Sequence, residues 1–211
     1  MKELVFSTDL DGVIIKRLHP LQLRALAHFL ARGSAIYQPP SQIPEIDRSV
    51  HNGPLSLFER ILYQIHKGRR VLPGVRQCLD SMMEEADIVA NTGRPNKKLW
   101  IDLTLETLRN SGVLECFKDF FFTPREIEAL LSKAAAIDQL QNKYQEVIHI
   151  DDNPADVLPL AKLFPDVRFI IVQDLTAGIL FSRVEMGEYP NVQRVATLRA
   201  GITNLCETPF R

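Results

Sequence analysis

The sequence predicts an α/β protein built on a doubly wound, mostly parallel sheet. The first observation is that short apolar runs rich in valine, isoleucine and phenylalanine recur at strand length. They lie at 4–6, 87–91, 120–123, 147–150 and 167–172. The second observation is that the segments between the later runs carry apolar residues at helical spacing. These segments are 74–86, 95–110, 124–143 and 154–164. Strands that alternate with helices favour βαβ units, and therefore a parallel sheet covered on both faces.

The ends of these elements also carry local signals. Three of the predicted helices begin with a proline, at Pro95, Pro124 and Pro154, and proline suits the first turn of a helix. The region 191–205 is expected to add one more short strand followed by a helix.

One region departs from the alternation. Between about residues 16 and 70 the sequence shows two amphipathic helical patterns, at 20–32 and 54–67, joined by the proline-rich stretch YQPPSQIPEID. Long connections inside a compact domain are unusual and often functional. We therefore predict a small helical cap at 16–70, inserted into a core domain formed by 1–15 and 71–211. The alternative is that this region is the first helical crossover with a long connection.

Composition restricts the class of protein. The 211 residues are 45% hydrophobic and 24% charged, as in an ordinary globular protein. A formal net charge of -1 offers no field for nucleic acid or an anionic membrane, so neither is an expected partner. We expect no membrane span and no secretory signal. The three cysteines show no CxxC spacing, which favours reduced thiols and a cytoplasmic protein.

Polar residues follow several of the predicted strands at the point where each strand ends. Asp9-Leu10-Asp11-Gly12 follows the first strand, Thr92-Gly93 the second, and Asp151-Asp152 the fourth. Each alone has an ordinary explanation as a turn or a helix cap. Ligands of open α/β sheets, however, bind at the carboxyl ends of the strands. Carboxylates gathered at that edge predict a hard cation, and Mg²⁺ prefers such oxygens.

These residues occur in an order that resembles the haloacid dehalogenase-like superfamily of phosphohydrolases. The resemblance covers about 1–15 and 71–172. The matching positions are Asp9 and Asp11 for the DxD motif, Thr92 for the hydroxyl motif, Lys133 for the lysine motif, and Asp151, Asp152 and Asp156 for the acidic motif. For the lysine, Lys143 is the competing candidate.

The resemblance implies a mechanism. Asp9 would be the nucleophile and form an aspartyl-phosphate. Asp11 would protonate the leaving group and later take a proton from water, and we expect neighbouring negative charge to keep it protonated at first. Mg²⁺ would be bound by Asp9, Asp152 and the backbone carbonyl of Asp11.

The remaining motif residues would support this chemistry. Thr92, Gly93 and Lys133 would bind the substrate phosphate. Asp151 and Asp156 would lie in the outer shell, where they orient water or pair with the lysine.

An acid at position 11 is typical of the phosphatases and phosphomutases of this superfamily. The expected function is therefore a magnesium-dependent phosphatase acting on a small phosphorylated metabolite. The alternatives are a phosphomutase, a phosphatase of nucleotides or nucleic-acid ends, and a catalytically quiet protein that binds or regulates a partner. Oligomeric state is not indicated by the sequence.

Some further polar residues have open assignments. Tyr37, Arg48 and His51 are candidates for substrate contact. Arg94 either binds substrate or pairs with a structural carboxylate. His149 is expected to be satisfied within its strand, on the same side as Val147.

Overall fold

The chain forms a six-stranded parallel sheet in the order β3-β2-β1-β4-β5-β6. The computed structural model describes residues 2–16, 41–45, 47–124, 127–172 and 188–201. The strands are β1 (Leu4–Thr8), β2 (Asp87–Pro95), β3 (Asp119–Thr123), β4 (Glu146–Asp151), β5 (Arg168–Val172) and β6 (Val192–Val195). The predicted α/β class and parallel sheet are confirmed, as is the last short strand.

Helices connect these strands. They are α1 (Leu57–His66), α2 (Val75–Glu85), α3 (Lys98–Asn110), α4 (Ala129–Gln141) and α5 (Pro154–Leu163), with a 3-10 turn at Leu114–Cys116. Four of them correspond to the helical segments predicted after residue 70, and α1 corresponds to the predicted helix at 54–67.

Only one of the three prolines begins a helix. Pro154 is in the first turn of α5, where the Asn153 side chain accepts a hydrogen bond from Ala155 N at 3.2 Å. Pro95 instead ends β2, and Pro124 precedes the start of α4 by several residues. The predictions of helix starts at 95 and 124 were therefore wrong. Pairing of β2 with β3 continues to Pro95 through a register shift after Thr92. Strand pairing therefore includes a proline that the local sequence pattern assigned to a helix start.

The centre of the sheet brings two strand ends together. β1 lies between β2 and β4, with Thr8 paired to both Ala90 and Ile150. The backbone N–H of Asp9 continues this pairing by donating to the Ile150 carbonyl at 2.8 Å. The chain reverses its direction of winding between β1 and β4, which is where such folds place their ligand crevice.

Strand alternation divides the core into two apolar layers. Val5, Val89 and Val147 pack with α4 and α5 on one face. The neighbouring positions Phe6 and Ile88 pack with α2 on the other face. Burial on both faces explains why the strands carry apolar runs rather than a regular alternation with polar residues, although a few polar residues such as Ser7, Asn91 and His149 are buried among them.

The helix α1 packs beside the start of α3. Ser56 and Glu59 form a capping box at its first turn, which satisfies two backbone N–H groups. Tyr63 and His66 both place their rings edge-on against Trp100, with centroids 6.1 and 5.1 Å away.

The predicted helix at 20–32 lies outside the described residues, so the division into core and cap remains a prediction. Within the ranges that the structure describes, no helix combines the length and hydropathy needed to cross a membrane.

Candidate active site

Three buried carboxylates meet at the carboxyl edge of the sheet. Asp9 is 5% exposed, Asp151 is 0% exposed and Asp152 is 1% exposed. Each offers one carboxylate oxygen, and these oxygens all lie within 4.8 Å of one another. Asp9 follows β1, and Asp151 ends the neighbouring strand β4, so strand pairing itself holds the group together. Burying three carboxylates is unfavourable unless positive charge is close.

Asp152 lies directly against the loop that follows β1. The loop turns back on itself, since the N–H groups of Ile14 and Ile15 both donate to the Leu10 carbonyl, at 3.1 and 2.7 Å. Gly12 has a φ of 93° in this turn, a conformation that glycine adopts without the steric cost of a Cβ atom. The turn therefore brings the DxDG segment and the end of β4 into contact.

Lys133 supplies the positive charge. It lies on α4 with a side chain that is 3% exposed, and its Nζ donates to Asp151 Oδ2 at 2.6 Å and to Asp156 Oδ2 at 2.9 Å. Asp9 Oδ2 is 3.9 Å from the same nitrogen. Burial alone would lower the pKa of Lys133, but the three carboxylates raise it well above its usual value, so the ammonium is charged.

Asp151 is held ionised by the same contacts. Burial alone would raise its pKa, yet the Lys133 charge and the nearby His149 lower that pKa below the ordinary value. Its Oδ1 also accepts from the backbone N–H of Asn153 at 2.8 Å. These contacts make Asp151 the link between β4, α4 and the start of α5.

His149 connects Asp151 to a buried polar chain inside the sheet. Asn91 Nδ2 donates to Ser7 Oγ at 3.3 Å, and Ser7 Oγ lies 3.0 Å from His149 Nδ1. The other ring nitrogen of His149 is 3.5 Å from Asp151 Oδ2. The polar neighbours of His149 therefore include Ser7 on the adjacent strand β1, and the ring lies on the Val147 side of β4 as predicted. This row of polar side chains ends at Asp151, one of the three carboxylates.

Asp11 has the opposite electrostatic environment from the one predicted. Arg94 Nε and Nη2 donate to its two carboxylate oxygens at 2.8 and 2.9 Å, and Arg69 Nη1 donates to Oδ1. Burial alone would raise the pKa of Asp11, but Arg94 and then Arg69 lower it below the usual value for an aspartate. The expectation that negative neighbours keep this carboxyl protonated was therefore wrong, because the groups beside it are cationic.

His66, from the end of α1, completes this second cluster. Its Nδ1 lies 2.7 Å from Arg69 Nη1 and 3.8 Å from Asp11 Oδ1. A guanidinium can only donate, so Nδ1 accepts and the imidazole is neutral. Burial, opposed by the Asp11 charge and assisted by both arginines, lowers the pKa of His66 to about 4.

The predicted phosphate-binding pair lies at the end of β2. Thr92 is buried, its hydroxyl accepts from the Arg94 backbone N–H at 3.3 Å, and its carbonyl accepts from Thr123 Oγ1 at 3.1 Å. Gly93 is exposed beside Ala129 of α4. The structure thus places both residues on the carboxyl edge of the strand next to Asp9.

The candidates for substrate contact lie in varied places. Arg48 binds Asp119 at 2.8 Å, donates to the Phe120 carbonyl and stacks over Phe121, beside the edge strand β3. The His51 backbone pairs with Asn96 and Lys98. Tyr37 lies outside the described residues. Arg94 pairs with the Asp11 carboxylate, and its role toward the substrate stays a prediction.

Two residues at this site were not identified from the sequence. Arg69 and His66 come from the region assigned to the cap, and Arg69 is 58 positions from Asp11. Neither belongs to a recognisable motif, and the contact depends on how α1 packs against α3. Lys143, the competing lysine, lies instead over the Tyr144 ring at 5.6 Å.

Solved structures share this architecture. A haloacid dehalogenase-like hydrolase from Streptococcus pneumoniae aligns with a TM-score of 0.56 and 14% identity, over 97% of this chain and 98% of that one. The chain has the haloacid dehalogenase-like fold. A hydrolase of that superfamily from Bacillus subtilis, bound to magnesium, aligns with a TM-score of 0.54 and 12% identity, over 98% of this chain and all of that one (100%).

The fold also includes proteins of different chemistry. An L-2-haloacid dehalogenase aligns with a TM-score of 0.55 and 12% identity, over 99% of this chain and 100% of that one. No protein-family model and no curated protein matched the sequence. The predicted resemblance to the haloacid dehalogenase-like superfamily is thus confirmed at the level of the fold. Proteins with this fold differ in activity, so the activity depends on the residues of the site.

Proposed function

We propose that the protein is a magnesium-dependent phosphatase that hydrolyses a small phosphomonoester through an aspartyl-phosphate on Asp9. The observation that carries this proposal is the buried group of Asp9, Asp151 and Asp152 beside the charged Lys133, at the switch point of the sheet. Phosphoryl transfer needs a nucleophile, a cation and fixed positive charge around the phosphate. This edge of the sheet supplies residues for all three needs.

The donor set fits Mg²⁺. All of the available side-chain ligands are hard oxygens, and Mg²⁺ typically takes one or two carboxylates together with water and substrate phosphate. Asp151 is already engaged by Lys133 at 2.6 Å and by Asn153 N at 2.8 Å. We therefore assign the metal to Asp9, Asp152 and the backbone carbonyl of Asp11. When bound, Mg²⁺ supplies positive charge between the nucleophile and the phosphate and stabilises the transferring group.

The reaction on the protein side has two displacements. A carboxylate oxygen of Asp9 attacks phosphorus, the ester bond breaks, and the departing alcohol takes a proton from the Asp11 carboxyl. Water then attacks phosphorus, the Asp9–phosphoryl bond breaks, and Asp11 takes the proton that water loses. Because Asp11 is an ionised carboxylate bound by Arg94 and Arg69 in this structure, it must turn away from them and take up a proton from solvent before it can serve as the acid.

The phosphate would be bound by Thr92, Gly93 and Lys133. The Thr92 hydroxyl and the Gly93 backbone N–H lie at the end of the strand that neighbours β1, and both can donate to phosphate oxygens. Lys133 already lies between Asp9, Asp151 and Asp156, so the outer carboxylates hold its ammonium at the nucleophile. The near-neutral net charge of -1 favours a small metabolite over a nucleic acid as the substrate.

The test is hydrolysis of an aryl phosphate with and without Mg²⁺, comparing the wild type with Asp9→Asn. This substitution keeps the size of the side chain and removes its nucleophilic charge, so we expect a loss of about a thousandfold or more in rate. Asp102→Asn, at an exposed position of α3, is the matched control and should keep full activity. Turnover that survives in Asp9→Asn would contradict the proposal.

A parallel assay separates the two chemistries known for this fold. Chloride release from 2-chloropropionate is measured beside phosphate release. The Asp11 carboxyl has a role in protonating an alcohol leaving group, whereas a halide leaves without a proton. We therefore expect phosphate release only, and chloride release without phosphate release would identify a dehalogenase.

A further inference from the structure

We propose that Arg69 and Arg94 form a subsite for a carboxylate on the leaving group of the substrate, and so determine substrate specificity. This inference rests on the proposed function. It names the class of substrate as phosphomonoesters whose alcohol carries a carboxylate close to the ester oxygen.

The subsite is defined by two guanidinium groups that converge on one place. Arg94 binds both oxygens of the Asp11 carboxylate through Nε and Nη2 at 2.8 and 2.9 Å, and Arg69 Nη1 also donates to Oδ1. Both arginine side chains are 4% exposed, whereas Asp11 is 18% exposed. A planar, two-pronged contact of this kind matches the shape of a carboxylate.

The two arginines are held in place independently of Asp11. Arg94 Nη1 donates to Thr104 Oγ1 at 2.8 Å, and that hydroxyl in turn donates to the Trp100 carbonyl at 2.7 Å. Arg69 Nε donates to the Lys16 carbonyl at 2.8 Å. The guanidiniums therefore keep their positions when the Asp11 side chain rotates, and the subsite is preorganised for another anion.

The proposed reaction requires that rotation. Asp11 has to leave the arginines to reach the leaving-group oxygen, and this would take from the buried Arg94 guanidinium the carboxylate that it binds. Leaving a buried charge uncompensated is strongly unfavourable. A carboxylate on the substrate restores the lost contacts as Asp11 turns, whereas a neutral leaving group does not. Substrates with that carboxylate are therefore selected.

A groove of about 630 Å³ lies beside Arg69. Its lining includes the exposed basic residues Lys67 and Arg70 and the exposed acid Glu106. Asp11 and Arg94 are not among its lining residues, so the room for the substrate carboxylate is the place that the Asp11 side chain vacates when it turns.

Binding of two matched phosphonates tests the subsite without any turnover. The probes are 3-phosphonopropionate, in which carbon replaces the ester oxygen of a carboxylate-bearing substrate, and 3-phosphonopropionamide, which has the same shape and no carboxylate charge. Homologues of both probes that are one methylene longer test a second spacing between the phosphonate and the carboxylate or amide. Titration calorimetry with Mg²⁺ present should show about 100-fold tighter binding of the carboxylate by the wild type.

Arg94→Lys and Arg69→Gln are the informative variants, with folding checked by circular dichroism. Each should reduce the preference for the carboxylate to less than about fivefold while the affinity for the amide changes little. Arg48→Gln is the matched control, since it removes an arginine–carboxylate pair beside the edge strand β3. It should leave the preference intact.

The outcomes separate this inference from the proposed function. Equal binding of acid and amide by the wild type, at every spacing, would overturn the subsite even if aryl phosphates are hydrolysed. An equal loss of affinity for the acid and for the amide in the arginine variants would also overturn the subsite, because that pattern indicates a purely structural role for the arginines. A carboxylate preference that depends on both arginines, in a protein with no phosphatase activity, would support the subsite and refute the proposed function.

Discussion

A Cβ atom placed at Gly12 would lie 1.8 Å from Oδ2 of Asp152 and 2.2 Å from its Cγ. The carboxylate that we assign to the metal therefore occupies space that any other residue at position 12 would fill. The glycine of the DxDG segment has two functions, since it also adopts a φ of 93°. The packing of this loop thus determines where a metal ligand lies.

Substituting Gly12 should accordingly impair metal binding as well as folding. In Gly12→Ala, we expect a loss of about 1–2 kcal/mol of unfolding free energy from the positive φ and a loss of about tenfold or more in Mg²⁺ affinity, as Asp152 is displaced. Urea unfolding and Mg²⁺ calorimetry measure the two effects.

Gly112→Ala provides the matched control for backbone strain. Gly112 has a φ of 64°, and a Cβ atom added there would meet no described atom within 4 Å. This variant should therefore lose stability without losing Mg²⁺ affinity. Unchanged Mg²⁺ binding in Gly12→Ala would contradict the assignment of Asp152 as a ligand.

Removing Lys133 should reverse the pH dependence of stability near the site. In the wild type the pKa of Asp151 is lowered, so its stabilising contribution is present above its ordinary pKa of 3.8 and is lost as the pH falls through the lower folded value. In Lys133→Met the buried carboxylates have lost this cation and their pKa values should rise. Stability should then fall as the pH increases above about 4, by about 3–5 kcal/mol at neutral pH.

Urea unfolding between pH 4 and pH 8 in magnesium-free buffer measures this change. Lys118→Met is the control, because Lys118 is an exposed lysine that pairs with Asp87, and such a pair contributes about 1 kcal/mol or less. If the Lys133 variant were no less stable than the Lys118 variant, the ammonium would not be compensating the buried carboxylates.

His66 should make the protein less stable in mild acid. Its folded pKa of about 4 lies below its ordinary value of 6.5. As the pH falls from 6.5 to 4 the unfolded chain gains a proton that the folded protein does not take up, so stability decreases over that window and then levels off. In His66→Gln, whose amide oxygen can still accept from Arg69, this part of the decrease should be absent.

Thermal unfolding of the wild type and His66→Gln across this pH range provides the measurement. Parallel curves for the two proteins would show that His66 is not held neutral beside Arg69.

The fold was largely predictable because burial on both faces gives each parallel strand a short run rich in apolar residues. The runs near 4–6, 87–91 and 147–150 all became strands. The same logic placed Asp9 and Asp151 at one edge, since residues that follow parallel strands end up side by side. The prediction of a helix start at Pro95 was wrong because strand pairing keeps this proline in β2.

The electrostatic partners of Asp11 could not be predicted in the same way. Arg69 reaches it across 58 positions and Arg94 across 83, and no spacing rule connects these residues. Whether a carboxylate has cationic or anionic neighbours depends on side-chain packing between α1, α3 and the first loop. The sequence therefore indicated the candidate residues of the site, and the structure was needed to show the charge around Asp11.

In the proposed mechanism, Asp9 becomes phosphorylated during turnover. The most direct test is to mix the protein with an aryl phosphate and Mg²⁺, quench with acid within the first turnover, and map the modified peptide by mass spectrometry. We predict one added phosphoryl group on the peptide that contains Asp9, absent in Asp9→Asn and without Mg²⁺. Phosphate release by an enzyme that never carries a phosphoryl group on Asp9 would refute this mechanism.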